Sequence, residues 1–300
     1  MKLRFFKLDV FTDTPLKGNA LAVFPNAEGL SGETMQAIAA EMNLSETVFV
    51  LPSEVALRRL RIFTPRQELP LAGHPVVGTW NLLSKLGVTE RSEAGKITVM
   101  QELGVGILPV EIVFDNGEPA SVTMTQGEFK QGEPISAEDQ VADLARALGL
   151  EPSDLVRSLP TRTCSTGIRA LVVPVTSLSA LKKINVDAGA LTKIYREQEA
   201  IGCYVFTFET IEKESLAHAR FFAPDDGIVE DAATGSAAGA LAGYLLSNGA
   251  CVEGNYIVEQ GDFMGRPSRI TVSPKGAKGD VREVKVGGQA VIVAEGVFFI

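Results

Sequence analysis

Internal repetition constrains this chain more than any other feature. Gly18-Asn-Ala-Leu-Ala-Val-Phe-Pro25 is matched by Gly167-Ile-Arg-Ala-Leu-Val-Val-Pro174, with seven residues from glycine to proline in both. Val48-Phe49 parallels Val205-Phe206, and Arg61-Ile-Phe-Thr-Pro65 parallels Arg220-Phe-Phe-Ala-Pro224. Gly73 to Gly87 parallels Gly235 to Gly249, fourteen residues each, with Leu83 and Leu245 ten residues in. The offset grows from 149 to 162 along the chain. Four landmarks in one order favour duplication over the chance recurrence of strand–turn–helix punctuation. The Gly-, Pro- and charge-rich stretch from Gln126 to Glu138 is the natural junction, giving an N-terminal lobe over residues 1–128 and a C-terminal lobe over 129–300. A ligand site is expected between two such lobes.

Short β-branched and aromatic runs broken by Gly, Pro, Asn or Asp read as strands in both halves. They fall at 4–11, 20–24, 47–51, 57–63, 96–101, 108–114 and 121–125, then at 170–175, 203–208, 217–222, 256–259, 269–272, 281–286 and 290–294. Helical periodicity covers 32–43, 74–86, 137–148, 188–199 and 236–247. Two of these helices, 74–86 and 236–247, carry small or apolar side chains nearly all round, so each must be buried on every side. An apolar helix among many short strands predicts an α+β fold of two pseudo-symmetric lobes, each with a sheet wrapped around a central helix.

Composition excludes several functions. With 45% apolar residues, 300 residues and a formal charge of -9, the chain is globular and able to bury a core in each half. The acidic balance disfavours nucleic acid and anionic membrane surfaces as partners. The longest small-and-apolar run, Gly235 to Leu246, is short of the ~20 residues a span needs. The N-terminus lacks an apolar core of signal-peptide length, and Cys164, Cys203 and Cys251 are odd in number with no CxxC pair. A reducing, cytoplasmic setting is expected. Only two histidines, His74 and His218, are present, too few for a His/Cys zinc cluster. No metal or cofactor is expected.

Three places break the repeat in a chemically useful way. Gly73-His74-Pro75 opens the first buried helix, where Pro suits the first turn and the dipole favours a neutral His74 able to exchange a proton near neutral pH. A capping or packed core histidine explains the same pattern. Asp231-Ala-Ala-Thr234-Gly235-Ser236 opens the second buried helix with two hydroxyls and free N–H groups, which suits a carboxylate or plain capping by Thr234 or Ser236. Glu46 starts an apolar strand whose counterpart begins at Cys203; a buried carboxyl there is a competent general acid or base, and a solvated strand-edge glutamate is the alternative. Gly104-Val-Gly106 lacks the dinucleotide pattern, Gly235 to Gly239 has the wrong spacing for a nucleophile elbow, and Asp225-Asp226 with Glu230-Asp231 reads as a solvated acidic turn without a calcium loop.

Several segments together resemble the PhzF-like (phenazine biosynthesis) isomerase family, related in fold to diaminopimelate epimerase. They are Asp9-Val-Phe-Thr, Gly18-Asn19, Asn43-Leu-Ser-Glu46-Thr, Phe63-Thr-Pro65, Leu71-Ala-Gly-His-Pro75 with Gly78-Thr79, Glu230-Asp-Ala-Ala-Thr-Gly-Ser236-Ala, and Gln260-Gly261 followed by Gly265-Arg-Pro267. The resemblance covers almost the whole chain. It implies antiparallel, barrel-like sheets around each central helix, with the active site in the cleft between the lobes. It also implies a homodimer and cofactor-independent proton transfer on a dihydro-hydroxyanthranilate-like carboxylic acid. Glu46 then takes the general acid/base role, His74 and Asp231 orient or relay, and Ser236 joins them; Gly73, Thr234, Gly235 and Asn19 would hold the substrate. The cysteine pair of the epimerase relatives is missing, since none of the three cysteines lies at a buried helix start. Ala232 and Ala20 stand where the family often has proline. A catalytically silent carboxylate-binding protein of the same fold, or an amino-acid epimerase or lyase, are the alternative functions.

Overall fold

The structure, a computed structural model, describes residues 1–90, 92–226 and 228–300. The chain divides into two compact units, Met1–Thr125 with Gly287–Ile300, and Gln126–Val286. The first unit begins β1 (Lys2–Val10), β2 (Asn19–Phe24), α1 (Gly32–Met42), β3 (Glu46–Leu51), β4 (Arg58–Phe63), β5 (Glu68–Leu69), α2 (Gly73–Lys85), β6 (Ala94–Leu103), β7 (Gly106–Asp115) and β8 (Glu118–Thr125). The second runs β9 (Lys130–Pro134), α3 (Glu138–Ala147), β10 (Arg162–Ser165), β11 (Arg169–Pro174), α4 (Leu178–Lys183), α5 (Ala188–Glu197), β12 (Cys203–Thr207), β13 (Ala217–Ala223), β14 (Ile228–Asp231), α6 (Gly235–Asn248), β15 (Tyr256–Gln260), β16 (Ser268–Ala277) and β17 (Asp280–Gly288). β18 (Ala290–Phe299) ends the chain.

The repeat read from sequence reappears as repeated strand pairing. In the first unit β2 is antiparallel to β1 and parallel to β3, while β4 is antiparallel to β3 and β5 and parallel to β6. In the second, β11 is antiparallel to β10 and parallel to β12, while β13 is antiparallel to β12 and β14 and parallel to β15. Both halves therefore share a mixed sheet, because strands joined through α1, or through α4 and α5, return parallel to their predecessor.

The last strand of the chain belongs with the first unit. β18 pairs antiparallel along the whole of β1, from Lys2↔Phe299 to Val10↔Ala290. β9 in turn pairs antiparallel with β10. The span 129–300 is thus not one unit: its last strand belongs to the first. The units meet at the head of the Gln126–Glu138 stretch, and β9, within it, opens the second unit.

Each unit is built around one helix. α2 is buried from Gly73 through Ser84 and is lined by β1, β2, β3, β7, β8 and β18. Gly78 makes this packing possible: a Cβ there would stand 2.6 Å from Leu21 Cδ2 and 2.7 Å from Val10 Cγ2. Two of the polar groups α2 takes inside are tied down by hydrogen bonds. Trp80 Nε1 donates to Gln101 Oε1 at 2.7 Å, and Ser84 Oγ donates to the Trp80 carbonyl at 2.8 Å. α6 is likewise buried from Ala237 to Leu246 and packs against β10, β11 and β16. Outer helices cover the other sheet faces, α1 over Phe24, Phe49 and Phe63, and α3 to α5 over Leu171, Val173 and Val205.

Candidate functional site

In the first unit the sheet and the buried helix converge on Glu46 and His74. Glu46 opens β3 opposite Leu21 on β2, and His74 is the second residue of α2. Their side chains meet with His74 Nε2 3.2 Å from Glu46 Oε2, and they are 6% and 15% exposed. No side chain caps α2, whose N-cap position is Ala72 rather than His74. The ring on the first turn thus faces Glu46 and does not cap the helix. Burial removes water from the imidazole and lowers its pKa to about 3. The ring is neutral at physiological pH, as the dipole argument from sequence expected, although desolvation is the cause. It brings no positive charge to Glu46. Asn19 begins β2 and is buried beside this pair's strand, two residues before Leu21. Gly73, the first residue of α2, is buried as well.

The second unit carries a different arrangement at the corresponding helix. β14 ends at Asp231 and α6 begins at Gly235. Thr234 occupies the N-cap position but caps nothing. Its hydroxyl donates to Asp231 Oδ2 at 2.6 Å and accepts from Gln260 Nε2 at 3.0 Å. The first N–H groups of α6 are thus left without a side-chain cap, and the capping alternative for Thr234 does not hold. The hydroxyl of Ser236, half-buried on the first turn, makes no hydrogen bond among the described residues. Glu230 is engaged elsewhere: Arg220 clamps it with Nε and Nη2, both at 2.8 Å, and donates Nη1 to the carbonyls of Leu181 and Ile184. Arg61 grips Glu68 in the same two-pronged way in the first unit, at 2.7 and 2.6 Å, so these pairs are structural members of the repeat.

Sequence reasoning gave no role to the residues that hold this turn. Gln260, the last residue of β15, is fully buried and reaches the Asp231 carbonyl at 2.8 Å and the Thr234 N–H at 3.1 Å. Tyr204 on β12 donates to Gln260 Oε1 at 3.1 Å; burial, with the charge of Asp231, pushes its hydroxyl pKa far up. Gly261 has φ +81°, and a Cβ there would lie 2.5 Å from the Ala232 carbonyl. The Gln260-Gly261 pair was the available signal, a polar residue and a left-handed glycine closing the strand.

His218 and the cysteines stand apart from both arrangements. His218 Nδ1 lies 2.8 Å from Glu259 Oε2 across β13 and β15, both side chains fully buried. Burial alone would raise the Glu259 pKa, but His218 and the N–H groups of Ile211 and Glu212 hold it down at about 2. Burial pushes the Cys164 thiol up to about 12, Cys251 to about 11 and Cys203 further still. None is poised as a thiolate, and none lies at the start of α2 or α6. Among the described residues no group of three or more His, Cys, Asp or Glu side chains could hold a metal ion, and no helix is long and apolar enough to cross a membrane.

Comparison with known proteins gives one family. Residues 8–296 match the PhzC-PhzF family, phenazine biosynthesis-like protein. The trans-2,3-dihydro-3-hydroxyanthranilate isomerase of Pseudomonas aeruginosa is 36% identical over 298 residues, covering 98% of both chains. A phenazine biosynthesis protein of the PhzF family from Bacillus anthracis has a crystal structure that superposes with TM-score 0.88 and 32% identity, over 100% of both chains. A hydroxyproline epimerase from Agrobacterium vitis, at 12% identity and TM-score 0.64 over 99% of this chain and 91% of its own, shares the fold.

Proposed function

Because this chain belongs to the phenazine biosynthesis-like protein family and is an isomerase, we propose that it moves a proton along a small conjugated carboxylic acid, with Glu46 as general acid and base. The observation that carries this reading is the Glu46–His74 pair, 3.2 Å apart and largely shut from water. A carboxylate in that position removes a proton from an activated carbon and returns it to another position of the conjugated system. The sum of atoms is unchanged, and no outside oxidant or reductant is required. Neutral His74, its Nε2 3.2 Å from the carboxylate, orients it as the proton comes and goes. Exclusion of water keeps the abstracted proton on the enzyme until it is delivered.

Roles are proposed for groups of the second unit as well. Asp231, fixed by Thr234, orients or relays, and Ser236 with the uncapped N–H groups around Gly235 suits a carboxylate. Gly73 and Asn19 have the matching substrate-holding roles in the first unit. The acid handled by the P. aeruginosa relative, trans-2,3-dihydro-3-hydroxyanthranilate, is the substrate we propose, and catalysis is independent of a cofactor. Incubation of the pure protein with this acid, followed by NMR, tests the proposal. Conversion to an isomer of unchanged mass is expected; recovery of unchanged acid would remove this substrate.

A further inference from the structure

All four hydrogen-bonding positions of the Gln260 amide are occupied, and their partners leave one arrangement. The Thr234 N–H can only donate and the Asp231 carbonyl can only accept, so Oε1 faces the former and Nε2 the latter. The Tyr204 hydroxyl, donating to Oε1 at 3.1 Å, fits the same orientation. The second Nε2 hydrogen then lies on Thr234 Oγ1 at 3.0 Å. With that lone pair engaged, the hydroxyl hydrogen turns to its other neighbour, Asp231 Oδ2, 2.6 Å away. Hydrogen bonds therefore run in one direction, from Tyr204 through Gln260 and Thr234 to Asp231.

We propose that Gln260 is a positioning residue: it fixes the Thr234 hydroxyl as a donor and thereby holds the Asp231 carboxylate in one orientation for the reaction. The inference rests on the assignment of Asp231 to the reaction made above. Gln260 touches no reacting atom in this account. Its bond to the Asp231 carbonyl holds the backbone of the turn, whereas its effect on the Asp231 carboxylate passes through the Thr234 hydroxyl, and that feature separates it from a residue that merely fills space. Gln260→Glu keeps the size of the side chain but replaces the Nε2 donor with an acceptor. The Thr234 hydroxyl is then drawn away from Asp231 and toward the new carboxylate.

The test combines kinetics with a structure. Turnover of trans-2,3-dihydro-3-hydroxyanthranilate is measured for wild type, Gln260→Glu, Thr234→Val and the double variant, with unfolding midpoints alongside. Each single change is expected to lower kcat about tenfold or more, the scale of one hydrogen bond to a charged group, with KM within about threefold. The double variant should be no worse than the poorer single, since both act on one hydrogen bond. Losses that multiply, or a Gln260→Glu enzyme with wild-type kcat, would overturn the proposal. A crystal structure of Gln260→Glu gives a readout that needs no turnover. Thr234 Oγ1 displaced from Asp231 is expected, and an unmoved hydroxyl overturns the proposal even where kcat falls. A wild type that leaves the acid unchanged, together with a displaced Thr234, would reject the function and retain Gln260 as the residue that orients Asp231.

Discussion

Glu46 and His74 show how little charge the site of the first unit needs. An imidazole that close to a carboxylate would form an ion pair if it were protonated, and the carboxylate would then be a poorer base. Burial prevents this by holding the ring neutral down to a pH of about 3. The same burial has a cost in stability whose sign follows from linkage. The unfolded chain binds a proton on this histidine below its ordinary pKa of 6.5, and the folded chain does not. His74 therefore leaves stability intact above pH 6.5 and erodes it as the pH falls toward 3, by about 1.4 kcal/mol per unit. Denaturant unfolding across that range should show the slope, and His74→Asn should flatten it; an unchanged slope would mean that the ring is protonated when folded. Glu46 was legible in sequence because it breaks the repeat. Gln260 was not, since a glutamine's role depends on partners that lie 26, 29 and 56 residues away.

At the scale of elements, the long periodic segments were legible and the short polar ones were not. Both buried helices start at the glycines the repeat marked, Gly73 and Gly235. Their all-round apolar surfaces require enclosure, and α2 is enclosed by strands of its own unit. β5, β9, β10 and β14 carry no usable pattern: β5 is two residues long, β9 is mostly polar with a proline, and β14 ends in two acids. What makes them strands is hydrogen bonding to a neighbour already in place. The β13–β15 pair gives an element-scale expectation. Glu259 accepts from His218 and from the Ile211 and Glu212 N–H groups, so Glu259→Gln weakens charge-assisted hydrogen bonds that fasten the segment before β13 to β15. A loss of about 2 kcal/mol in unfolding free energy is expected. The Glu259 contribution is present above pH 4.5 and lost as the pH falls toward 2. Unfolding measured at pH 7 and pH 3 should show the variant's deficit shrinking in acid, and a deficit that grows would contradict the assignment.

For the whole molecule, duplication explains the likeness of the halves. Equivalent strands pair in equivalent senses, the Arg61–Glu68 and Arg220–Glu230 clamps recur, and each half encloses one helix. The copies differ where chemistry is assigned: a histidine beside a glutamate at α2, an aspartate–threonine turn at α6. The return of β18 to the first unit was not legible, because its composition is ordinary and only its partner, β1, reveals where it belongs. The homodimer implied by the family resemblance remains our proposal for the assembled protein. Light scattering on the purified chain should give twice its 32.0 kDa mass, and a single-chain mass at micromolar concentration would remove it.

The central claim is that Glu46 carries the proton. Wild type and Glu46→Gln are incubated with trans-2,3-dihydro-3-hydroxyanthranilate in deuterated water, with product and label followed by NMR. The amide keeps the shape of the side chain but has no basic oxygen to accept a proton, so we expect isomerisation by wild type and a loss of at least about a hundredfold in Glu46→Gln, the scale of general acid–base catalysis, with the fold retained. A Glu46→Gln enzyme that isomerises the acid at the wild-type rate would contradict the account.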